Sequence, residues 1–153
     1  MELQYLKGKF NYCKNISWDE VIEKISKGYV NGNPMISLCS ETLPPTFVLR
    51  DNYLSGRLRK SYSIVKKKWG INYMHVYTSL GSGARTFGNH VDEEDVLIVQ
   101  SVGRVNYRIN NKYIEVNPGD GIIIPGGIFH EPFIGEPRIT LSFAWDKTPW
   151  DDD

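Results

Sequence analysis

The chain has little cysteine. Cys13 and Cys39 stand far apart among 153 residues, which offers neither a disulfide framework nor a CxxC metal or redox pair. Neither sign of charge is in excess, with 18 Lys and Arg against 18 Asp and Glu. A chain without a global field is not expected to be a general nucleic-acid binder or to be drawn to an anionic membrane. No apolar run approaches the ~18 residues of a membrane-spanning helix. The opening Met1-Glu2-Leu3-Gln4-Tyr5-Leu6-Lys7 lacks the apolar centre of a secretory signal. The expected compartment is therefore the cytoplasm. Helical periodicity is scarce too, with one convincing stretch, and no repeat or low-complexity linker divides the chain.

What is present is the make-up of a folded domain: 41% hydrophobic, 12% aromatic and 24% charged residues. Fourteen glycines and eight prolines beside one clear helix predict many short strands joined by tight turns. The helix is expected to start at Ser17, where Ser17-Trp18-Asp19-Glu20 has the form of a capping box. Trp18, Val21, Ile22 and Ile25 recur at helical spacing, and Gly28 is a natural stop. A short strand is expected at Met35-Ile36-Ser37-Leu38, and an extended segment after Pro44-Pro45 through Phe47-Val48-Leu49. Residues 51–68 read as loop or short helix. They carry Arg57, Arg59, Lys60, Lys66, Lys67 and Lys68, a solvated basic face or a local dock for an acidic or RNA-bearing partner.

After Trp69 the character changes. Tyr73–Leu80, Val96–Gln100, Val105–Ile109, Tyr113–Val116, Gly121–Ile124 and Ile139–Trp145 read as strands, rich in β-branched and aromatic residues and bounded by Gly, Asn and Pro. Asn110-Asn111 is a hairpin turn signal. The expectation is a single all-β domain over residues 1–153. It comprises a helical and extended lead-in over 1–70 and a jelly roll over 71–146.

Three histidines are available for chemistry: His75, His90 and His130. Asp92 follows His90 by two, and on a strand residues i and i+2 project from one face, so the pair can share a cation. Gly119-Asp120-Gly121-Ile122-Ile123-Ile124-Pro125-Gly126-Gly127-Ile128-Phe129-His130 reads as turn, buried strand, Pro-Gly-Gly turn and histidine. In a jelly roll that turn can bring His130 beside His90 and Asp92. Two histidines and one carboxylate with open positions form the facial triad of a non-haem iron site. With no cysteine among the ligands, iron or manganese fits at least as well as zinc.

Gly119 to His130 resembles the second cupin motif: Gly, five residues, Pro-x-Gly, two residues, His. The stretch Phe87-Gly88-Asn89-His90-Val91-Asp92-Glu93-Glu94-Asp95 through Arg104 is similar to the first iron-binding segment of JmjC-type oxygenases. Within these it looks most like the cupin-like subgroup containing ribosomal-protein hydroxylases. The resemblance covers about Tyr73 to Trp145. It implies a double-stranded β-helix (cupin jelly roll) with a helical lead-in, Fe(II) held by His90, Asp92 and His130, and 2-oxoglutarate as cosubstrate for O2-dependent hydroxylation. The substrate it implies is a protein side chain.

The family anchors the distal carboxylate of 2-oxoglutarate with a Lys or Arg placed 15 residues after the first histidine. That position is Val105 here, and alternation turns Arg104 and Arg108 to the opposite face. Since a buried unpaired carboxylate costs several kcal/mol, another cation is needed. Arg138 is the expected substitute, and Arg138-Ile139-Thr140 resembles the Arg-x-Ser pair of other 2-oxoglutarate oxygenases. Tyr77 and Ser79 are expected to add hydroxyls.

Val105 equally suits a metal-binding cupin enzyme that works without 2-oxoglutarate on a small molecule able to chelate the metal. A non-catalytic cupin binding module is the third reading. His75 reads as a satisfied strand histidine. Trp69, Phe129, Trp145 and Trp150 read as core or rim, and Asp95 as hydrogen-bonded near the metal segment or facing solvent.

Overall fold

A computed structural model describes residues 1–14, 16–30, 36–39, 44–50 and 56–145. Two helices, α1 (Trp18–Val30) and α2 (Gly56–Trp69), accompany ten strands. In chain order these are β1 (Gln4–Leu6), β2 (Ile36–Leu38), β3 (Thr46–Leu49), β4 (Tyr73–Ser79), β5 (Val96–Val102), β6 (Val105–Ile109), β7 (Lys112–Val116), β8 (Gly121–Ile124), β9 (His130–Phe133) and β10 (Arg138–Ala144). Every pairing is antiparallel. One sheet has seven strands in the order β1-β8-β5-β10-β4-β3-β2, and the other has three, in the order β7-β6-β9. The fold is the β-rich jelly roll expected from the sequence.

The first seventy residues contribute β1, β2 and β3 to the large sheet. Strands β1 and β9 have no clear period-2 signal, being three and four residues long, and β9 contains Pro132. Tertiary pairing makes them strands. Asp120 secures β1 by accepting from the Tyr5 hydroxyl at 2.5 Å and the Gly8 amide at 2.8 Å.

The large sheet is covered on both faces, which explains the unbroken apolar runs of β5 and β8. Leu97, Val99, Leu141 and Phe143 point to one side, where Phe10, Val21 and Ile25 of α1, and Leu58 and Val65 of α2 pack. Val96, Ile98, Ile122 and Ile124 point to the other, against Val105, Tyr107, Ile109 and Val116 of the small sheet. Each large apolar side chain fully buried in this way contributes about 1.5–3 kcal/mol. The β6–β7 connection is the two-residue turn read from Asn110-Asn111. Both residues have positive φ, 51° and 63°, as a type I′ hairpin requires.

The helices differ from expectation in three details. Ser17 accepts from the Asp19 amide at 3.2 Å, but Glu20 does not close the capping box. Its carboxylate reaches the start of α2 and accepts from the Arg57 amide at 3.3 Å and the Leu58 amide at 3.0 Å. There it neutralises donors that a helix N-terminus leaves without intrahelical partners. Gly28 lies inside α1 rather than ending it. Ile22 is 44% exposed, so the buried stripe runs through Val21 and Ile25. Residues 57–68 are helical, and Arg57, Arg59, Lys60, Lys66, Lys67 and Lys68 are all exposed. No helix among the described residues is long and apolar enough to cross a membrane.

Candidate metal centre

His130 opens β9 and is buried, 4% exposed. His90 belongs to no named strand. It forms an isolated bridge with His130, in which each amide donates to the other's carbonyl, at 3.0 and 2.9 Å. The expected strand geometry for His90 and Asp92 is thus replaced by one bridge residue followed by irregular chain. Asp92 is positioned by its backbone, whose carbonyl accepts from the Gly127 amide at 2.9 Å. The Pro125-Gly126-Gly127 turn is fastened again by the Gly126 amide, which donates to Asp95 Oδ1 at 2.8 Å. This is the position near the metal segment expected for Asp95. A Cβ on Gly126 would lie 2.4 Å from the Glu93 carbonyl oxygen, so only glycine permits this close approach. Gly127 has φ +84°, which glycine adopts without strain.

These constraints bring one ligand atom from each of His90, Asp92 and His130 to within 4.8 Å of one another. His130 Nε2 lies 3.3 Å and His90 Nε2 4.0 Å from Asp92 Oδ2. Adjacent ligands bonded to one ion at about 2.1 Å would sit about 3 Å apart, so small side-chain movements complete the site. The second ring nitrogens are already committed. His90 Nδ1 faces the Gly88 carbonyl at 2.7 Å and His130 Nδ1 the Ile128 carbonyl at 3.0 Å. A carbonyl can only accept, so each Nδ1 carries the proton and each Nε2 presents a lone pair. Burial disfavours a charged His130, yet the Asp92 carboxylate and the Ile128 carbonyl outweigh it and raise its pKa. Burial also works against ionised Asp92, but His130 and His90 hold its pKa below the ordinary value. The donor set fits a divalent transition metal.

A pocket opens from these ligands. It runs between the sheets, lined by Tyr77, Phe87, Ile98, Tyr107 and Ser142, with Arg138 and Cys39 also in its wall. Arg138 is 2% exposed, and among the described residues no carboxylate lies within ion-pair distance of it. Its Nε donates to Ser79 Oγ at 2.8 Å and one terminal nitrogen to Thr140 Oγ1 at 2.9 Å. The Tyr77 ring centre is 5.8 Å from its Cζ, within cation–π range. Burial lowers the Arg138 pKa from its usual value, but a guanidinium remains charged in proteins. Ser79 and Thr140 stand behind the guanidinium, while Tyr77 lines the pocket itself.

Val105 is buried in the apolar core between the sheets, so the position expected for the family's anchor offers no donor. His75 lies on β4 with its ring centre 5.2 Å from that of Tyr73 and 6.5 Å from that of Tyr77. Phe129 is exposed at 58%. Trp69 and Trp145 pack at the edge of the helix-side core, joined by a 2.6 Å bond from Trp145 Nε1 to the Trp69 carbonyl. Trp150 lies outside the described residues. The sequence signals no site role for Cys39, which lacks a disulfide or CxxC partner, and none was expected for Gln100, wholly buried beside Thr140. The signal for Gln100 is a polar residue in phase with Val96 and Ile98 at the end of an apolar run.

No family model and no curated protein matches the sequence. Solved structures are similar in fold. The crystal structure of Escherichia coli ribosomal oxygenase YcfD matches with a TM-score of 0.71 and 17% identity over 99% of this chain and 50% of that one. The same protein in complex with cobalt and 2-oxoglutarate matches at 0.72 and 18%, over 99% and 50%. Its complex with cobalt and succinic acid matches at 0.72 and 18%, over 96% and 48%. The chain spans about half the length of this protein. The fold of the chain is thus an antiparallel β-rich jelly roll, shared almost end to end with one part of Escherichia coli ribosomal oxygenase YcfD.

Proposed function

We propose that the protein is an Fe(II)- and 2-oxoglutarate-dependent oxygenase that hydroxylates a C–H bond of a protein side chain. The observation that carries this reading is a buried guanidinium without a carboxylate partner among the described residues, in the wall of the pocket that holds the His90–Asp92–His130 cluster. A buried cation without a counterion costs stability unless an anion joins it. A dicarboxylate able to reach from the cluster to Arg138 meets both demands. The similar fold of a ribosomal oxygenase that binds cobalt with 2-oxoglutarate supports the reading.

His90 Nε2, His130 Nε2 and an Asp92 oxygen would hold the metal, the two-histidine, one-carboxylate set that suits non-haem Fe(II). Fe(II) there supplies the oxidative chemistry: O2, 2-oxoglutarate and a C–H bond become succinate, CO2 and a C–OH group. The chain's own residues bind and orient. Arg138 pairs with the distal carboxylate, Tyr77 packs its ring along the guanidinium, and Ser79 and Thr140 hold that guanidinium from behind. Ile98 and Phe87 narrow the pocket and exclude water, which strengthens the Arg138–carboxylate attraction.

The test is anaerobic titration of the Fe(II) protein with 2-oxoglutarate, following the metal-to-ligand charge-transfer band. A band is expected, and Arg138→Ala should weaken binding without removing iron. A protein that binds iron and gives no band would overturn the proposal. The buried Val105 favours one other reading, a metal-dependent cupin enzyme acting on a small chelating molecule. That outcome, iron without 2-oxoglutarate, would support it.

A further inference from the structure

Five buried polar side chains cross four neighbouring strands at one level: Thr46 on β3, Ser79 on β4, Arg138 and Thr140 on β10, and Gln100 on β5, none more than 2% exposed. They are joined without a gap. Thr46 and Ser79 hydroxyls are 2.7 Å apart, Arg138 donates to Ser79 at 2.8 Å and to Thr140 at 2.9 Å, and Thr140 donates to Gln100 Oε1 at 2.8 Å. The far end is tied off by Gln100 Nε2, which donates to the Val102 carbonyl at 2.9 Å.

The direction of the chain of bonds follows from elementary donor accounting. The Val102 carbonyl can only accept, so the Gln100 amide must turn its NH2 that way and its oxygen toward Thr140. That oxygen in turn can only accept, so the Thr140 hydroxyl spends its proton on Gln100. Its lone pairs are left for the guanidinium, which can only donate. Two of the five Arg138 N–H groups are thereby consumed, by Ser79 and Thr140, and a further contact with the pocket-lining Tyr107 hydroxyl leaves at most two for a ligand. Were residue 100 apolar, the Thr140 proton would lose this acceptor and could turn to the neighbouring Tyr107 hydroxyl or against the guanidinium.

Gln100 itself is set with care. The β5–β10 register shifts between Ile139 and Thr140, so that Ile139 opposes Val102 while Thr140 opposes Gln100. Ser101, wholly buried, turns to the helix side of the sheet, where it accepts from the Ile16 amide at 3.2 Å. The Gln100 backbone is bonded on both sides to the turn that precedes β8, its amide to the Asp120 carbonyl at 3.0 Å and its carbonyl to the Gly119 amide at 2.9 Å.

We propose that Gln100 is a positioning residue: acting through Thr140, it orients the Arg138 guanidinium so that its unpaired N–H groups select a ligand with a distal carboxylate. The proposal rests on the reading of the pocket as a 2-oxoglutarate site. Gln100 touches neither cosubstrate nor metal, so its removal should change ligand choice and leave the metal in place.

The experiment compares two 2-oxo acids of the same chain length on the Fe(II)-loaded full chain without O2. One is 2-oxoglutarate, and the other is 2-oxopentanoate, which lacks the distal carboxylate. In Gln100→Leu the dissociation constant for 2-oxoglutarate should rise about tenfold. That for 2-oxopentanoate should stay within about twofold, and Co(II) affinity should not change. Thr140→Val, which keeps the shape and removes the hydroxyl, should give the same loss of preference and carries the test if Gln100→Leu does not fold. Unchanged 2-oxoglutarate affinity, or an equal loss for both acids, would overturn the role of Gln100. If the unsubstituted protein binds neither acid, it is the 2-oxoglutarate reading that fails, and the role of Gln100 falls with it.

Discussion

The Gly127 amide donates to the Asp92 carbonyl at 2.9 Å, so the turn that delivers His130 is pinned to the segment that carries the other two ligands. His130 is far in sequence from His90 and Asp92, and this bond with the His90–His130 bridge makes the separation of the three side chains a property of backbone pairing. Loop flexibility is removed from the site before any ligand arrives.

Asp92→Ala removes the carboxylate facing both imidazoles. Since loss of outer hydrogen bonds alone typically weakens metal affinity by about 10–100-fold, loss of a ligand should exceed about a hundredfold. Titration with Co(II), followed by its visible absorption, measures this. Far-ultraviolet circular dichroism should remain unchanged, because the backbone bonds to Gly127 and His130 do not depend on the side chain. Retained Co(II) affinity would remove Asp92 from the ligand set.

Gly126→Ala places a methyl 2.4 Å from the Glu93 carbonyl oxygen. The obstacle is backbone, so the turn itself must move. A cost of about 1–3 kcal/mol is expected, seen as a lower midpoint in urea. Metal affinity should fall as well, because the same turn sets the position of His130. A variant with wild-type stability and affinity would show that the turn yields freely.

Glu20→Ala should destabilise through a helix other than its own. Loss of the bonds to the Arg57 and Leu58 amides should cost about 1 kcal/mol, the usual value of an N-terminal cap. Thermal melting reads this as a drop of about 2–4 °C. Co(II) affinity should not change, since α2 packs on the opposite face of the large sheet from the pocket. A melting temperature equal to that of the unsubstituted protein would deny the cap its contribution.

His75 makes stability depend on pH. Burial foremost, and then Arg50, depress its pKa from 6.5 to about 4, against the opposing pull of Asp92. The unfolded chain takes up the proton at the ordinary pKa while the folded one resists. The stabilising contribution is therefore complete above about pH 6.5 and drains as pH falls toward 4, by up to about 1.4 kcal/mol per unit. Between pH 7 and pH 5 the protein should lose about 2 kcal/mol more than His75→Gln does in urea denaturation. Equal losses in both proteins would place the pH dependence elsewhere.

Much of the architecture could be read in advance because its causes are local. Val105–Ile109 and Gly121–Ile124 have the limits that apolar runs and turn residues predict, and Asn110-Asn111 has the positive φ angles of its hairpin. The pattern Gly119 to His130 marked its strand and turn because proline and glycine restrict backbone angles wherever they stand.

Other features depend on partners distant in sequence, and no local signal encodes those. Glu20 has the spacing of a capping box, yet the start of α2 offers it two amides and Ser17 offers one. Val105 occupies the expected anchor position as part of the core, and the buried cation comes from β10. Strand alternation by itself put Arg138, Thr140 and Ser142 on one face. That this face looks into the pocket of His90, Asp92 and His130, with Gln100 opposite Thr140, was decided by strand order and by a one-residue bulge in β5. A side chain's direction repeats every two residues and is written in the strand, whereas what it meets there depends on register, which only the folded sheets establish.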